Sequence, residues 1–418
     1  MTIPKKQVKR VTGEPLILLK WVLFACIIGL VVGAVSTGFY LSFEYVTGLR
    51  MRHGWLLWLL PLGGIAIVQL YRACGMEKDR GTNFVLMAVR ENQALPLRTA
   101  PLVFISTLIT HLFGGSAGRE GAILQIGGSI SSSIGRLMRL NARDSRIITM
   151  CGMSAAFAAL FGTPLTAAVF AMEVVSVGVM YYAALVPCVL SAIVGVQVAR
   201  FFSVVPRSYD IFAMPDFSWS LLLTVLALGA LCAVLSIVFC QFMRAAPALY
   251  DKYIPNQTAR AAVGGVLVIA LTMLCGTRSY NGSGGTIILA ALEGSADHGA
   301  FLLKILFTAI TLGAGFKGGE IVPAFFTGAT FGAVAGPLLG LSPSFSAALS
   351  MVAVFCGVTN CPMTSILLAL ELFDGKQMPM FALCCAVSYM LSGYYSLYTE
   401  QKIVYSKLKP VYIDKKAK

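Results

Sequence analysis

A long apolar run, from Leu16 to about Val46, most constrains what this chain can fold into. About twenty apolar residues are enough for a helix to cross the ~30 Å hydrocarbon core of a bilayer. The run is roughly twice as long as the apolar core of a secretory signal, and no convincing cleavage site follows it. The sequence therefore predicts a first transmembrane helix that is long and tilted.

The composition extends this conclusion to the whole chain. Of 418 residues, 57% are apolar and only 12% are charged, whereas soluble domains carry about 25% charged residues. A soluble multidomain enzyme is excluded, and a polytopic membrane protein is predicted. The net charge of +14 is concentrated at the two ends and in one short loop, a pattern that the positive-inside rule explains better than a nucleic-acid partner.

The chain divides into four parts on this basis. We expect a basic cytoplasmic tail at 1–15, a first transmembrane repeat at 16–205, a second at 206–400 and a short basic cytoplasmic tail at 401–418. The further apolar runs cover 55–71, 100–115, 147–163, 164–200, 219–241, 262–275, 301–314, 321–340, 345–373 and 379–398. Several are too short to span a bilayer, and the 41 Gly and 17 Pro predict discontinuous helices, which survive only where protein or a cavity covers their free backbone groups.

Two halves of the sequence repeat each other. Thr163-Pro164-Leu165-Thr166 precedes Glu173, and Cys361-Pro362-Met363-Thr364 precedes Glu371 at the same distance from the proline. The offset is 198 residues (362 minus 164). Because both glutamates end apolar runs, we expect them to cap helices or pair with partners at the cytoplasmic boundary.

A second pair of matching motifs lies upstream of the first. Gly118-Arg119-Glu120-Gly121 matches Lys317-Gly318-Gly319-Glu320 at an offset of 200 (320 minus 120). Gly-interrupted segments in corresponding positions indicate a secondary transporter whose site lies where half-helix N-termini converge. Free N–H donors and a positive dipole end suit an anion, so the pattern predicts an anion pathway.

Glu120 and Glu320 are the carboxylates of most interest, because ionisable residues at membrane depth are costly and functional by default. An ionised glutamate in an anion path occupies the donors of the anion, and a protonated one gives way. That mutual exclusion is the chemistry of an anion/proton exchanger. The structural alternative is a buried carboxylate that pairs with Arg119 or Lys317, while Glu44 on the first helix is expected to be structural.

Three motifs resemble the CLC family of anion channels and anion/proton antiporters. They are Gly118–Gly121 followed by Gln125-Ile126-Gly127-Gly128, then Glu320-Ile321-Val322-Pro323, and finally Tyr398 within Ser396-Leu397-Tyr398. The resemblance implies an all-α polytopic fold of two inverted-topology repeats built from broken and tilted helices. It also implies a homodimer with one pathway per protomer.

The departures from the chloride members of the family resemble the bacterial fluoride/proton antiporter branch. Arg80-Gly81-Thr82-Asn83-Phe84 lacks the serine and proline of the chloride motif, Glu173-Val174 lacks a second glutamate, and a Lys-Gly-Gly-Glu stretch precedes Pro323. The resemblance implies Glu120 as the gating glutamate and proton carrier and Glu320 as the second carboxylate of the proton path. It implies an ion-binding set of Gly118, Arg119, Gly121, Thr82, Asn83, Phe84, Ile321, Val322 and Tyr398. Met87 stands where a second phenylalanine is expected, and Val322 stands where the branch often has threonine.

The sequence thus predicts a fluoride/proton antiporter in a bacterial plasma membrane, with both termini in the cytoplasm. Its partners are fluoride, protons, the bilayer and a second copy, and no nucleic acid, cofactor or metal is expected because His53, His111 and His298 are scattered. A chloride/proton antiporter or chloride channel of the same family stays open. So does a membrane scaffold without transport activity, whereas an enzyme is not expected because no nucleophile–base pair is present.

Overall fold

A computed structural model describes residues 5–77, 81–91, 93–204 and 209–418, and the side chains from residue 15 onward within those ranges. Arg80, the first residue of the predicted anion-loop motif, lies outside the described residues.

The described chain is mainly helical. Its first half contains α1 (Lys5–Arg52), α2 (Leu60–Ala73), α3 (Thr82–Glu91), α4 (Thr99–Leu112), α5 (Glu120–Leu137), α6 (Ala142–Phe161), α7 (Pro164–Glu173) and α8 (Leu185–Phe201). Its second half contains α9 (Trp219–Tyr253), α10 (Gln257–Cys275), α11 (Gly285–Leu292), α12 (Ala300–Gly313), α13 (Ile321–Leu338), α14 (Pro343–Thr359), α15 (Pro362–Leu372) and α16 (Met378–Leu391). Two 3-10 helices, Gly54–Leu59 before α2 and Tyr182–Ala184 before α8, and three short strands, β1 (Ser176–Val177), β2 (Lys402–Tyr405) and β3 (Tyr412–Lys416), complete it.

The helices of the two halves correspond one to one. Helices α4 and α12 both have 14 residues, α5 and α13 both have 18, and α7 and α15 have 10 and 11. The same partners pack in each half: α1 with α8 and α9 with α16, α5 with α6 and α13 with α14. The all-α fold of two repeats that the sequence predicts is therefore confirmed.

Six helical segments of the described chain are long and apolar enough to cross a bilayer. They are Pro15–Arg52, Gly54–Ala73, Tyr182–Phe201, Trp219–Tyr253, Gln257–Cys275 and Ile321–Leu338. The first contains the apolar run from Leu16 that the sequence assigned to a long transmembrane helix. The length and apolar composition of a membrane-spanning helix are confirmed, although α1 continues six residues past Val46 to Arg52.

Two of the predicted apolar runs are broken in the structure. The run 164–200 divides into α7 and α8 with β1 between them, and the run 345–373 divides into α14 and α15. Helix α14 ends on Asn360 in the left-handed conformation (φ 60°), and Pro362 begins α15. Helix α6 likewise ends on left-handed Gly162 (φ 74°), and Pro164 begins α7. A left-handed cap followed by proline stops one helix and starts another, whatever the hydropathy of the run.

Helices α7 and α15 cap each other across the two halves. Glu173, at the end of α7, accepts hydrogen bonds from the backbone N–H groups of Thr364 (2.9 Å) and of the preceding residue (3.1 Å) at the start of α15. Glu371, at the end of α15, accepts them from Thr166 (2.8 Å) and from the residue before it (3.0 Å) at the start of α7. The helices are therefore antiparallel, as inverted repeats require. The predicted capping is confirmed, but a shared cytoplasmic boundary is wrong because the caps lie at opposite ends of the pair.

The segment predicted as the C-terminal tail folds against the first half. Strand β2 is parallel to β1 and antiparallel to β3. Just before β2, the buried side-chain amide of Gln401 donates to the carbonyls of Val174 (2.9 Å) and Thr359 (2.8 Å). These bonds fix the chain that follows Tyr398 to both halves of the molecule.

Candidate functional site

Two glycines join the halves at the centre of the structure. Gly118 and Gly319 exchange backbone hydrogen bonds of 2.7 and 2.8 Å, which brings the N-termini of α5 and α13 together. A Cβ at Gly118 would collide with the Glu120 carboxylate and would lie 3.1 Å from the Gly319 carbonyl oxygen. Only glycine allows the two backbones to approach this closely.

The glycine bridge corrects the register of the repeat. Gly118 pairs with Gly319 at an offset of 201 residues (319 minus 118), not the 200 predicted from the glutamates. Arg119 and Glu320 are the equivalent N-cap residues, and the structural equivalent of Glu120 is Ile321. Because successive helical residues are about 100° apart around the axis, the two glutamates do not project in equivalent directions.

The carboxylate of Glu120 occupies a donor that belongs to the other half. Its Oε2 accepts hydrogen bonds from the backbone N–H of Arg119 (3.0 Å) and from that of Val322 (3.2 Å), in the first turn of α13. The side chain is fully buried, and among the described residues Oε1 has no hydrogen-bond partner. A carboxylate therefore lies where a half-helix N-terminus offers a site for an anion.

The guanidinium of Arg119 is directed to α1 instead of to Glu120. Its Nη1 lies 3.0 Å from the carboxylate of Glu44, and its central carbon lies 4.6 Å from the ring centres of both Tyr40 and Phe43. The ammonium of Lys317, the other predicted counter-ion, lies 4.3 Å from the ring centre of Tyr71 on α2. Within the described residues, neither side chain forms an ion pair with Glu120.

Glu320 and Tyr398 are the next two predicted residues near the junction. Glu320 is half-buried at the N-cap of α13, where it makes no side-chain capping bond. It interacts electrostatically with both Glu120 and the Tyr398 hydroxyl. Tyr398 is 2% exposed, and among the described residues its hydroxyl has no hydrogen-bond partner. Two carboxylates and an unbonded phenol thus share one buried region.

The residues at the start of α3 link this region to its surroundings. The Thr82 hydroxyl contacts the carbonyl of Gly121 (3.4 Å) in the first turn of α5. The Asn83 side chain accepts a hydrogen bond from the backbone of Glu400 (3.1 Å), two residues after Tyr398. Phe84 is half-buried against the core. The Asn83 side chain therefore bonds the protein backbone, which the sequence did not predict.

The predicted residues fall into two groups in the structure. The junction itself brings together Gly118, Arg119, Glu120, Gly121, Thr82, Ile321 and Val322. Asn83 and Phe84 lie on α3, and Tyr398 is linked to the junction by its electrostatic interaction with both carboxylates.

Sequence reasoning missed a buried cation near the junction. The ammonium of Lys304 on α12 is fully buried and donates to the carbonyls of Gly282 (2.7 Å) and Tyr280 (3.2 Å) and to the Ser116 hydroxyl (3.0 Å). Its presence within the apolar run 301–314 is the signal that could have identified it, because intramembrane ionisable residues mark functional regions.

A cavity of about 590 Å³ opens beside the junction at the end of α1. Its lining includes Glu44, Arg50, Arg119, Arg278 and Val322. Three of the charged lining residues are basic, and Val322 supplies a donor to Glu120. The cavity thus reaches Arg119 and Val322, two residues whose backbone N–H groups bond the Glu120 carboxylate.

Comparison with known proteins places this architecture in a family. A sequence profile described as "Voltage gated chloride channel" matches residues 63–393. The chain belongs to the CLC family. CLC proteins are transporters or channels, and this one is a multi-pass membrane protein.

Several CLC proteins are similar to this one over most of its length. The chloride/fluoride channel protein of Pseudomonas syringae pv. tomato is 36% identical over 396 residues, which cover 93% of this chain and 87% of the relative. An H(+)/Cl(-) exchange transporter of Vibrio cholerae serotype O1, ClcA, is 27% identical over 292 residues, covering 66% of this chain and 62% of the relative.

Solved CLC structures have the same fold. A crystal structure described as a CLC-type fluoride/proton antiporter superposes with a TM-score of 0.89 at 32% identity, covering 92% of this chain and 98% of the other. A eukaryotic CLC transporter superposes with a TM-score of 0.74 at 20% identity, covering 92% and 74%. The second likeness concerns the fold alone.

Proposed function

We propose that this CLC protein exports fluoride from the cytoplasm in exchange for inward protons, with Glu120 as the gate. The observation that carries the proposal is the bond from the Val322 N–H to the Glu120 carboxylate (3.2 Å). The gate occupies a donor of the half-helix that suits an anion. The proton and the anion therefore exclude each other at one position.

The chemistry of the junction suits a small, strongly hydrated anion. Fluoride gives up its water only where donors approach closely, and backbone N–H groups at glycine turns have no Cβ to keep the ion away. Val322 supplies a backbone N–H in the first turn of α13, just after the Gly318-Gly319 turn, and Tyr398 supplies a hydroxyl without a protein partner among the described residues. The ring edge of Phe84 adds a positive partial charge.

One cycle follows from this arrangement. A proton from the outer cavity binds Glu120 and removes its charge, which weakens its bond to the Val322 N–H. Fluoride from the cytoplasm takes the released donor and then leaves toward the cavity. The proton passes from Glu120 toward the cytoplasm by way of Glu320, which interacts electrostatically with it. The inward proton gradient then drives out fluoride that entered the cell as neutral HF.

Fluoride as the substrate is supported by two of the relatives. The P. syringae protein is named as a chloride/fluoride channel protein, and a structure of high similarity is described as a fluoride/proton antiporter. Chloride is the second candidate, because the V. cholerae relative is named as an H(+)/Cl(-) exchange transporter. The alternative of another class is a membrane scaffold without transport activity.

The proposal includes an orientation and an assembly. Lys20, near the start of α1, pairs with Asp144 (2.5 Å) beside the basic loop between α5 and α6. Strand β2 near the C-terminus pairs with β1, which follows α7. Both observations support cytoplasmic termini under the positive-inside rule. We further propose a homodimer in a bacterial plasma membrane, with repeats at 16–205 and 206–400 and tails at 1–15 and 401–418.

The test is anion efflux from proteoliposomes loaded with fluoride or chloride, with the external pH recorded. We expect fluoride to leave much faster than chloride while protons move inward, and we expect Glu120→Gln and Glu320→Gln to abolish this exchange. If chloride moves as fast or faster, the fluoride assignment is wrong. If neither ion moves, the scaffold alternative is favoured.

A further inference from the structure

We propose that Glu44, with Tyr40 and Phe43, is a positioning residue that keeps the Arg119 guanidinium away from the Glu120 carboxylate. These three α1 residues thereby set the pH at which the gate takes up its proton. The inference rests on the proposed gating function of Glu120. We call the three residues the α1 clamp.

The clamp is a complete binding site for one guanidinium. The Glu44 carboxylate lies 3.0 Å from Nη1 of Arg119. The rings of Tyr40 and Phe43 lie at equal distances of 4.6 Å from its central carbon. An ion pair combined with two cation–π contacts is a specific arrangement, because an aromatic face stabilises a guanidinium that has lost water. The Arg119 side chain is accordingly only 15% exposed.

The location of the clamp gives it a consequence for the gate. Arg119 precedes Glu120 in the chain, and its own backbone N–H is one of the donors to the Glu120 carboxylate. A guanidinium on so long a side chain could reach the adjacent carboxylate if nothing else bound it. The clamp holds it on α1, where its charge still acts on Glu120 through space, while the described hydrogen bonds to the carboxylate come from uncharged backbone groups.

The difference between these partners decides how readily the gate opens. Charge-assisted hydrogen bonds are roughly twice as strong as neutral ones, and a nearby cation favours the ionised carboxylate. A gate paired with Arg119 would stay ionised and bound to the Val322 N–H. A gate bonded only to backbone N–H groups can be protonated and can then move away.

Other ionisable groups around the gate stay constant when the clamp is changed. Glu320 on α13, Lys304 on α12 and Tyr398 interact electrostatically with Glu120. His111 on α4 lies 3.2 Å from the carbonyl oxygen of Gly118, and it interacts with Arg119 and with Arg50 of α1. None of them contacts Glu44 in the described hydrogen bonds and ion pairs, so a substitution at Glu44 acts through Arg119.

The experiment measures proton-coupled fluoride efflux from proteoliposomes as a function of external pH. In Glu44→Gln, Arg119 is released and pairs with Glu120, so protonation requires more acid. We expect the pH midpoint of efflux to fall by about one unit. Glu44→Asp retains the charge, so its pH midpoint should stay close to that of the wild type. Tyr40→Leu, which removes one ring, should shift the midpoint in the same direction by less.

A double variant distinguishes the clamp from a general effect of Glu44. The double variant Arg119→Met/Glu44→Gln should have the same pH midpoint as Arg119→Met alone, because no guanidinium remains to be released. A shift that persists in this background overturns the inference. So does an unchanged midpoint in Glu44→Gln, or a loss of transport that Arg119→Met does not restore.

The matched control is Asp144→Asn, which neutralises another carboxylate paired with α1. Asp144 binds Lys20 (2.5 Å), which lies 24 residues before Glu44 on the same helix (44 minus 20), or about 36 Å along its axis. Its pH midpoint should equal that of the wild type. If the wild type itself shows no fluoride/proton exchange, the proposed function fails; if it does and the Glu44 variants behave like it, only the clamp fails.

Discussion

The two half-helix N-termini that meet at the glycine bridge have the same backbone and different chemistry. At α5 the N-cap is Arg119 and the next residue is Glu120, whereas at α13 the N-cap is Glu320 and the next residue is Ile321. One side therefore presents a buried carboxylate to the backbone of the other. The other side presents an apolar residue at the equivalent position, so only one carboxylate can occupy the junction in this way.

The reciprocal caps of α7 and α15 show the opposite behaviour. Glu173 and Glu371 have equivalent positions, and each accepts two backbone hydrogen bonds from the other half. Repeat symmetry is kept where a glutamate stabilises helix ends and broken at the glycine bridge, where we propose that Glu120 is the gate. A symmetric junction would give the gate no direction, so asymmetry is the feature expected of a transporter site.

The largest effect is expected from a methyl group in the glycine bridge. In Gly118→Ala, the new Cβ collides with the Glu120 carboxylate and approaches both Gly319 and Pro323 to 3.1 Å. The Glu120 carboxylate must leave its position and the bridge must widen by a few tenths of an ångström, so fluoride efflux should be lost. The control is Gly38→Ala on α1, where a Cβ would have no neighbour within 4 Å. Wild-type efflux from Gly118→Ala would show that the bridge is not needed.

The Tyr398 hydroxyl should affect transport without affecting stability. Because it bonds no described protein group, Tyr398→Phe should leave the thermal unfolding midpoint in detergent unchanged. Losing a hydrogen bond to a charged ion costs about 1.5–3 kcal/mol, so fluoride efflux should fall by roughly tenfold or more. Tyr394→Phe is the matched control, because that hydroxyl bonds Ser406 (2.8 Å). Tyr394→Phe should lower the thermal unfolding midpoint and leave fluoride efflux intact. If Tyr398→Phe instead lowers the unfolding midpoint and leaves efflux intact, the Tyr398 hydroxyl serves the fold and not transport.

The reciprocal caps predict a moderate loss of stability in both halves. Glu173→Gln removes charge-assisted bonds to the start of α15 and should lower the free energy of unfolding by about 1–2 kcal/mol. Glu371→Gln should cost less, because Glu173 also accepts a bond from the Thr364 hydroxyl (2.6 Å). Thermal unfolding in detergent measures both, with Glu293→Gln at an exposed position as the control. Equal losses of stability in all three variants would contradict a structural role for the caps.

The smallest effect is expected at Val322, where the asymmetry of the junction can be sharpened. Val322→Thr places a hydroxyl next to the N–H that binds Glu120. A further donor stabilises the ionised gate, so the pH midpoint of efflux should fall by a few tenths of a unit, with a rate change of about two- to threefold. Val322→Ala is the control without a hydroxyl. A larger shift in Val322→Ala than in Val322→Thr would assign the effect to packing.

Much of the fold was predictable because hydropathy and turn chemistry are local. The run from Leu16 predicted α1, and the matching motifs around Pro164 and Pro362 predicted the repeat. The division of 164–200 and 345–373 was missed because both sides of each break are apolar. Asn360, left-handed and two residues before Pro362, lies at the break in 345–373, and Gly178, left-handed as well, lies at the break in 164–200. These residues were the local signals that could have revealed the breaks.

The site was predictable as a set of residues but not as a geometry. The sequence by itself determined that this chain crosses a membrane, that it contains two repeats and that carboxylates lie at glycine-rich helix starts, since these follow from residue type and spacing. Only the tertiary structure decided that Glu120 bonds the backbone of the other half and that α1 binds the Arg119 guanidinium. It also decided that the register is 201 and not 200. These are contacts between residues far apart in the chain, and a one-residue change of register rotates a side chain by about 100° without leaving any trace in composition or hydropathy.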